Sequence, residues 1–154
     1  MLCLKAGGLR GLTRSDGHGL GKARPLVVYF PMAIDRIQVL SIPVSDQEVA
    51  KAFYVDVLGF DLVRDNPMGP GQRWVEVAPR GAATSMTLVT WFETMPPGSL
   101  RGLVLETEDL EGTIDEIAER GHRIVGEIHD APWGRYVTLE DPDGNGLILQ
   151  STLA

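Results

Sequence analysis

Two stretches of the chain repeat one succession of apolar and polar positions. In the first, aliphatic and β-branched residues at 36–44 precede Asp46, a segment of helical periodicity, and then Gly59. In the second, a similar run at 102–107 precedes Asp109, another helical segment, and Gly121. Aspartate is a favoured helix N-cap and glycine commonly follows the last helical turn, so each stretch predicts a strand and then a capped helix. The apolar positions of the two helices are Val49, Phe53, Val57 and Leu58, and Leu110, Ile114, Ile117 and Ala118.

The similarity continues beyond the helices. Arg73-Trp74-Val75 corresponds to Arg135-Tyr136-Val137 at an offset of 62 (135 − 73), and each copy then turns into a final strand, at 84–91 and 146–151. The two stretches agree in the order of their elements, in the capping aspartate, in the glycine that ends the helix and in the strand with an aromatic residue. We therefore predict an internal duplication. The expected fold is α+β, with two β-α-β-β-β modules at 34–92 and 100–151. Their strands would form a curved mixed sheet, with the helices on the convex face and the concave face free for a ligand.

Composition and charge narrow the class of protein. With 154 residues and 44% hydrophobic content, the chain can bury the core of one domain, and it contains no run of about 20 apolar residues that would span a membrane. Residues 1–31 carry five basic residues and one acid, so the total charge of −7 leaves −11 (−7 − 4) on the rest. Such an acidic body disfavours nucleic acid. The single cysteine, Cys3, excludes a disulfide framework and suggests a reducing, cytoplasmic location.

The first 31 residues differ from the rest. They are rich in glycine and lack a regular apolar period, which is typical of a disordered leader. Met32 directly precedes the first strand pattern, so the leader could instead be an upstream extension. We therefore expect the folded domain to occupy residues 32–154.

Three phrases resemble the vicinal oxygen chelate superfamily, which includes glyoxalases, bleomycin resistance proteins and extradiol dioxygenases. They are VSD at 44–46, AFYVDVLGF at 52–60 and DPDGN at 141–145. The resemblance covers residues 34–151 and implies the duplicated fold already predicted. In the family these phrases are mainly structural, which agrees with a packed helix and a tight turn.

The resemblance also implies where a metal would lie. Enzymes of this family hold a divalent cation with side chains from the first and last strands of each module. Those positions correspond to Val39, Gly102 and Ile148, and to a fourth residue on or beside Met86. None of the four carries a donor for a hard or borderline metal, so we expect no metal and no other cofactor. A slip in the alignment would select Gln38, Thr87 or Gln150 instead, but a slip of one residue along a strand turns the side chain to the other sheet face.

The strand pleat predicts which large or charged residues face a ligand. In the second module Leu103 and Leu105 should face the helix, which leaves Glu106 toward the cavity. Glu106 could orient a ligand or act as a general base, or it could be a solvent-exposed residue at a sheet edge. Trp91 could stack on an aromatic ligand or pack a loop. The candidate ligand-binding residues are Arg73, Trp74, Trp91, Glu106, Arg135 and Tyr136.

Three functions remain open on these grounds. The favoured one is a metal-independent small-molecule binding protein of the bleomycin-resistance type, whose ligand could be aromatic. The second is a lyase, isomerase or dioxygenase with a non-standard metal site or with Glu106 as its base, so enzyme activity stays undecided. The third is an interaction protein whose concave face is covered by a partner chain, which could be a second copy in a homodimer. No membrane partner is expected.

Overall fold

Two β-α-β-β-β modules make up the computed structural model, which describes residues 34–124 and 126–152. The first contains β1 (Val39–Pro43), α1 (Gln47–Ala52), a π-helical turn (Phe53–Val57), β2 (Asp61–Gly69), β3 (Gln72–Ala78) and β4 (Ser85–Val89). The second contains β5 (Leu103–Glu106), α2 (Leu110–Glu119), β6 (His129–Ala131), β7 (Gly134–Glu140) and β8 (Gly146–Thr152). This element order confirms the predicted α+β class and its two modules. The predicted leader at 1–31 lies outside the described residues.

Each module forms its own four-stranded mixed sheet. The strand orders are β1-β4-β3-β2 and β5-β8-β7-β6. In both sheets the first strand of the module pairs in parallel with the last, and the remaining pairs are antiparallel. The curvature predicted for the sheet, with helices on its convex side, stays a prediction. No helix among the described residues is long and apolar enough to cross a bilayer.

The helix ends follow the predicted capping residues. The Asp46 carboxylate accepts hydrogen bonds from the backbone N–H groups of Glu48 (2.8 Å) and Val49 (3.3 Å), and Asp109 accepts one from Gly112 at 3.0 Å. These bonds satisfy donors that a first helical turn otherwise leaves free. Gly59 and Gly121 end the helical segments with φ values of 72° and 88°, a region that favours glycine.

The first helical segment contains one residue more than the second. It spans 13 positions from cap to stop (59 − 46), against 12 in the second (121 − 109). The π-helical turn absorbs the extra residue, because the Leu58 N–H donates to the Phe53 carbonyl five residues earlier at 3.0 Å. The buried face rotates accordingly. Val49, which we predicted on that face, is 51% exposed, whereas Tyr54 is fully buried.

One face of each sheet packs into a core that the two modules share. We call it the helix face, because α1 contacts β3 and β4 and α2 contacts β8. The strand residues on this face are Val75, Val77, Met86, Leu88, Val137, Leu139, Leu147 and Leu149. They join Phe53, Tyr54, Leu110 and Ile117 in one buried cluster, so neither module completes its core alone.

The turn at 141–145 connects the modules through a buried carboxylate. Asp141 Oδ1 accepts the backbone N–H groups of Asp143 (3.0 Å) and Asn145 (2.8 Å), and Oδ2 accepts the Tyr54 hydroxyl at 3.0 Å. The Asn145 side chain donates to Asp141 Oδ2 and to the Pro43 carbonyl, each at 2.8 Å. Burial raises the pKa of Tyr54, and the nearby charge of Asp141 raises it further. The tyrosine therefore stays a neutral donor to the carboxylate.

Replacing Tyr54 with Phe tests this connection. The variant would keep the buried ring but remove one of two side-chain donors to Asp141 Oδ2, at a cost of about 1–3 kcal/mol in the free energy of unfolding. Urea unfolding measures the change. Tyr136→Phe is the matched control, since Tyr136 is only half-buried and should lose little. Equal stabilities for the two variants would contradict the role of Tyr54.

Candidate functional site

Val39 and Met86, the two residues predicted at metal-ligand positions in the first module, lie on different faces of the sheet. Val39 pairs in parallel register with Ser85, so these side chains share the face opposite the helix face, which we call the open face. Met86 follows Ser85 and points the other way, into the shared core, where it is 4% exposed. Thr87 returns to the open face. Of the residues on or beside Met86, Ser85 and Thr87 therefore share the open face with Val39, and Met86 does not.

The second module gives the same geometry. Gly102 donates its N–H to the Gly146 carbonyl, and Ile148 lies two residues beyond Gly146 on the open face, just as Thr87 lies two beyond Ser85. If the predicted positions share the open face in both modules, they are Val39, Thr87, Gly102 and Ile148, whose side chains do not fit a divalent cation. Among residues 34–124 and 126–152, no three or more His, Cys, Asp or Glu side chains are grouped to hold a metal.

A buried carboxylate nevertheless lies beside Thr87. Glu76 is its cross-strand partner on β3 and is only 6% exposed. The Ser85 hydroxyl donates to Glu76 Oε1 at 2.5 Å, and the Trp74 indole N–H donates to Oε2 at 2.8 Å. Our sequence prediction missed Glu76. The sequence did contain a signal for its orientation. Glu76 lies two residues after Trp74, and the valines that alternate with them face the core, so the side chains of Trp74 and Glu76 lie on one face of the strand.

Glu76 is held in its charged form. Burial acts to raise the pKa of this carboxyl, but hydrogen bonds from Ser85 and Trp74 and the charge of Arg64 outweigh it, so the net shift is downward. The Arg64 guanidinium approaches from β2 with its Nε 3.7 Å from Glu76 Oε2. The open face therefore carries a fixed negative charge at neutral pH.

Trp74, which contacts this carboxylate, belongs to a group of aromatic rings. The rings of Trp74 and Trp91 stack with centroids 6.4 Å apart and an interplanar angle of 29°, and Phe92 packs against Trp91 at 5.9 Å. We call Trp74, Glu76, Ser85 and Trp91 the tryptophan–glutamate cluster. It combines a flat apolar wall with a carboxylate whose orientation two donors fix.

Arg73 lies on the opposite side of β3 from this cluster. Its guanidinium pairs with Asp65 on β2 and with Glu48 in the first turn of α1, and Lys51 completes the group at 3.0 Å from Asp65. Hydrogen bonds from Arg73 and Lys51 lower the pKa of Asp65 to about 2. Arg73 therefore forms ion pairs that connect α1 to the sheet.

Arg135 occupies the equivalent place in the second module. It pairs with Glu111 in the first turn of α2 and, at 3.2 Å, with Asp130 on β6. Glu48 and Glu111 each lie two residues after their N-cap aspartates, so the ion pair belongs to the internal duplication. In both modules the arginine points away from the open face, and the neighbouring aromatic residue points toward it.

The remaining predicted residues lie on the open face of the second module. Tyr136 stacks on Trp133, with centroids 5.5 Å apart, and on His129 at 5.2 Å. Glu106 is exposed and accepts a hydrogen bond from the Thr152 hydroxyl at 2.5 Å. Among the described residues, no hydrogen bond, ion pair or ring contact joins Glu106 or Tyr136 to the tryptophan–glutamate cluster. The six predicted residues therefore do not converge on one place.

Three cavities lie near these groups. One of about 650 Å³ has Gly102, Thr138 and Ile148 in its wall, and one of about 380 Å³ has Glu106 among mainly apolar neighbours. A third, of about 460 Å³, has Trp91 in its wall. Trp74 lines none of the three, so it faces an open surface rather than one of these cavities.

Comparisons with known proteins agree with this architecture. The profile of the Glyoxalase/Bleomycin resistance protein/Dioxygenase superfamily matches residues 34–149. The chain is 38% identical over 120 residues to the uncharacterized protein YetH of Bacillus subtilis (strain 168), covering 76% of this chain and 98% of YetH. It is 50% identical to TnmS3, an antibiotic binding protein from Streptomyces sp. CB03234, with a TM-score of 0.72 and coverage of 79% and 99%. A superfamily member from Sphaerobacter thermophilus DSM 20745 is 37% identical, with a TM-score of 0.71 and coverage of 78% and 99%.

The ion pairs of Asp65 predict how stability depends on pH. Because the folded-state pKa of Asp65 is lowered from 3.8 to about 2, its contribution is complete above pH 3.8 and is lost as the pH falls toward 2. Asp65→Asn should therefore lower the free energy of unfolding by up to about 1 kcal/mol at neutral pH, and the difference should shrink through pH 2 and vanish about one pH unit below it. Thermal unfolding across this range measures it. Asp130→Asn is the control, because Asp130 is 85% exposed. A constant difference at every pH would exclude this origin.

Proposed function

The chain belongs to the glyoxalase/bleomycin resistance protein/dioxygenase superfamily, and from that premise we propose that it binds a small aromatic molecule without a metal. The tryptophan–glutamate cluster on the open face of the first module is the observation that carries the proposal. Stacked indoles offer a planar apolar surface, and such surfaces bind flat rings by stacking and by burial of apolar area. The 50% identity to TnmS3, an antibiotic binding protein, supports a small-molecule ligand.

Side-chain chemistry at the family's metal positions supports binding without a cation. Val39, Gly102 and Ile148 have no donor atom, and the Thr87 hydroxyl already donates to the Val75 carbonyl at 3.2 Å. A hydroxyl by itself is a poor ligand for zinc, iron or manganese, which need imidazole, carboxylate or thiolate groups. Binding would therefore rest on stacking and hydrogen bonds.

An enzymatic function is the second candidate, and Glu106 is the residue that favours it. Its carboxylate borders the cavity of about 380 Å³, which Leu58, Phe60 and Val104 also line. A carboxylate in partly apolar surroundings can act as a general base. In this alternative, Glu106 would perform lyase or isomerase chemistry on a ligand in that cavity.

We also propose that a second copy of the chain covers part of the molecule. β1 and β5 each lie at one edge of their sheets, and they expose Leu40 (42%) and Val104 (48%). Uncovered strand edges with apolar side chains tend to pair with other chains. Light scattering coupled to gel filtration should give the mass of a homodimer, and a monomer at micromolar concentration would contradict it.

The aromatic site is tested by removing one indole. Trp74→Leu keeps an apolar side chain but removes the stacking surface, so affinity for acridone, a neutral planar three-ring compound, should fall about tenfold. Isothermal titration measures this without depending on tryptophan emission. Trp133→Leu is the matched control, since Trp133 lies in the second module and should leave affinity unchanged.

Two results would contradict the proposal. One is equal acridone affinity of the Trp74→Leu variant and the unaltered chain. The other is loss of binding after treatment with EDTA, together with a stoichiometric metal in protein purified without a histidine tag, because binding would then depend on a cation.

A further inference from the structure

Within the part of the chain that the structure describes, the charge of Glu76 is not neutralised by a buried cation. Its two close partners, the Ser85 hydroxyl and the Trp74 indole, are neutral donors. Among the described residues, the cation that forms an ion pair with it is Arg64, whose side chain is 59% exposed and whose Nε stays 3.7 Å away. A shielded carboxylate with such weak compensation is costly, since burial removes the hydration of its charge.

The fold itself does not require this carboxylate. The position equivalent to Glu76 in the second module is Thr138, at the same offset of 62 (138 − 76) that relates Trp74 to Tyr136. β7 there pairs with β8 in the register that β3 makes with β4, since Thr138 opposes Ile148 as Glu76 opposes Thr87. The strand pairing therefore does not require a charged residue at this position.

Trp74 joins the carboxylate to the aromatic wall. Its indole N–H donates to Glu76 Oε2, so the ring is held in one orientation beside the charge, and its face stacks with Trp91. A cation next to both groups gains a charge-assisted contact with the carboxylate and a cation–π contact with the indole. The acidic body of the protein adds a general attraction for cations.

From this arrangement we infer that Glu76 selects a planar aromatic ligand that carries a cationic amine, with the ring against Trp74 and the amine at the carboxylate. This inference rests on the proposed aromatic-binding function and names the class of its ligand. Arg64 is then a displaceable counter-ion. Its exposed side chain reaches Glu76 from the edge strand β2, and the amine of the ligand replaces it.

Two probes of similar shape separate charge from stacking. Proflavine is a planar three-ring cation at neutral pH, and acridone is a neutral molecule of the same size. Titration calorimetry on the full chain measures both. Glu76→Gln should weaken proflavine binding about tenfold or more and leave acridone within about twofold, because it removes the charge but keeps a side chain of the same size. Glu119→Gln, an exposed change of the same charge on α2, should bind both probes as the unaltered chain does.

A second variant tests the counter-ion and does not depend on the folding of Glu76→Gln. Arg64→Ala alters an exposed side chain and should raise proflavine affinity several-fold, because the carboxylate then lacks its competing cation. Acridone affinity should not change. If proflavine affinity is unchanged in Arg64→Ala, the ligand amine does not displace Arg64. If Glu76→Gln also fails to fold, the same result overturns the inference as a whole.

The possible results distinguish failure of this inference from failure of the proposed aromatic-binding function. Unaltered protein that binds acridone but not proflavine, or a folded Glu76→Gln variant that binds proflavine normally, would overturn the role of Glu76 and leave aromatic binding intact. Unaltered protein that binds neither probe would overturn the aromatic-binding function, and the inference with it.

Discussion

The buried carboxylate of Asp141 is the constraint on which the two-module arrangement depends. A charge removed from water must be met by donors, and the turn supplies them through the N–H groups of Asp143 and Asn145 and the Asn145 amide. The Tyr54 hydroxyl, from the first module, provides the last. Because Asn145 also donates to the Pro43 carbonyl, the second module's turn is tied to both the helical segment and β1 of the first. The helix faces of the two sheets can then share one core.

Duplication explains what the modules have in common, and local changes explain where they differ. Both keep an aspartate cap followed two residues later by a glutamate that pairs with an arginine of the third strand. The first module adds one residue to its helical segment and accommodates it as a π turn, which rotates Tyr54 toward Asp141. The contact between modules thus uses a feature that only one copy has.

The open faces differ more than the helix faces, as expected when packing constrains one side of a sheet and not the other. The buried helix-face residues of both modules are apolar and belong to one cluster. On the open side, Glu76 in one module is replaced by Thr138 in the other. The negative charge on the open face of the first module therefore comes from Glu76 on β3, whose carboxylate contacts the Trp74 indole.

The sequence by itself determined the order of elements, the caps and stops, and the duplication, because these depend on contacts within a few residues and on apolar periodicity. The metal-ligand positions that the family resemblance implies stay a prediction. Tertiary structure decided which side of each strand faces the helices, since pairing register is set by distant residues and a shift of one reverses every side chain. With the observed register, Met86 lies in the core, Arg73 and Arg135 point toward the helices, and Glu76 lies beside Trp74. Local pattern could not assign Glu76, because its burial depends on strands β2 and β4 and on Trp74 together.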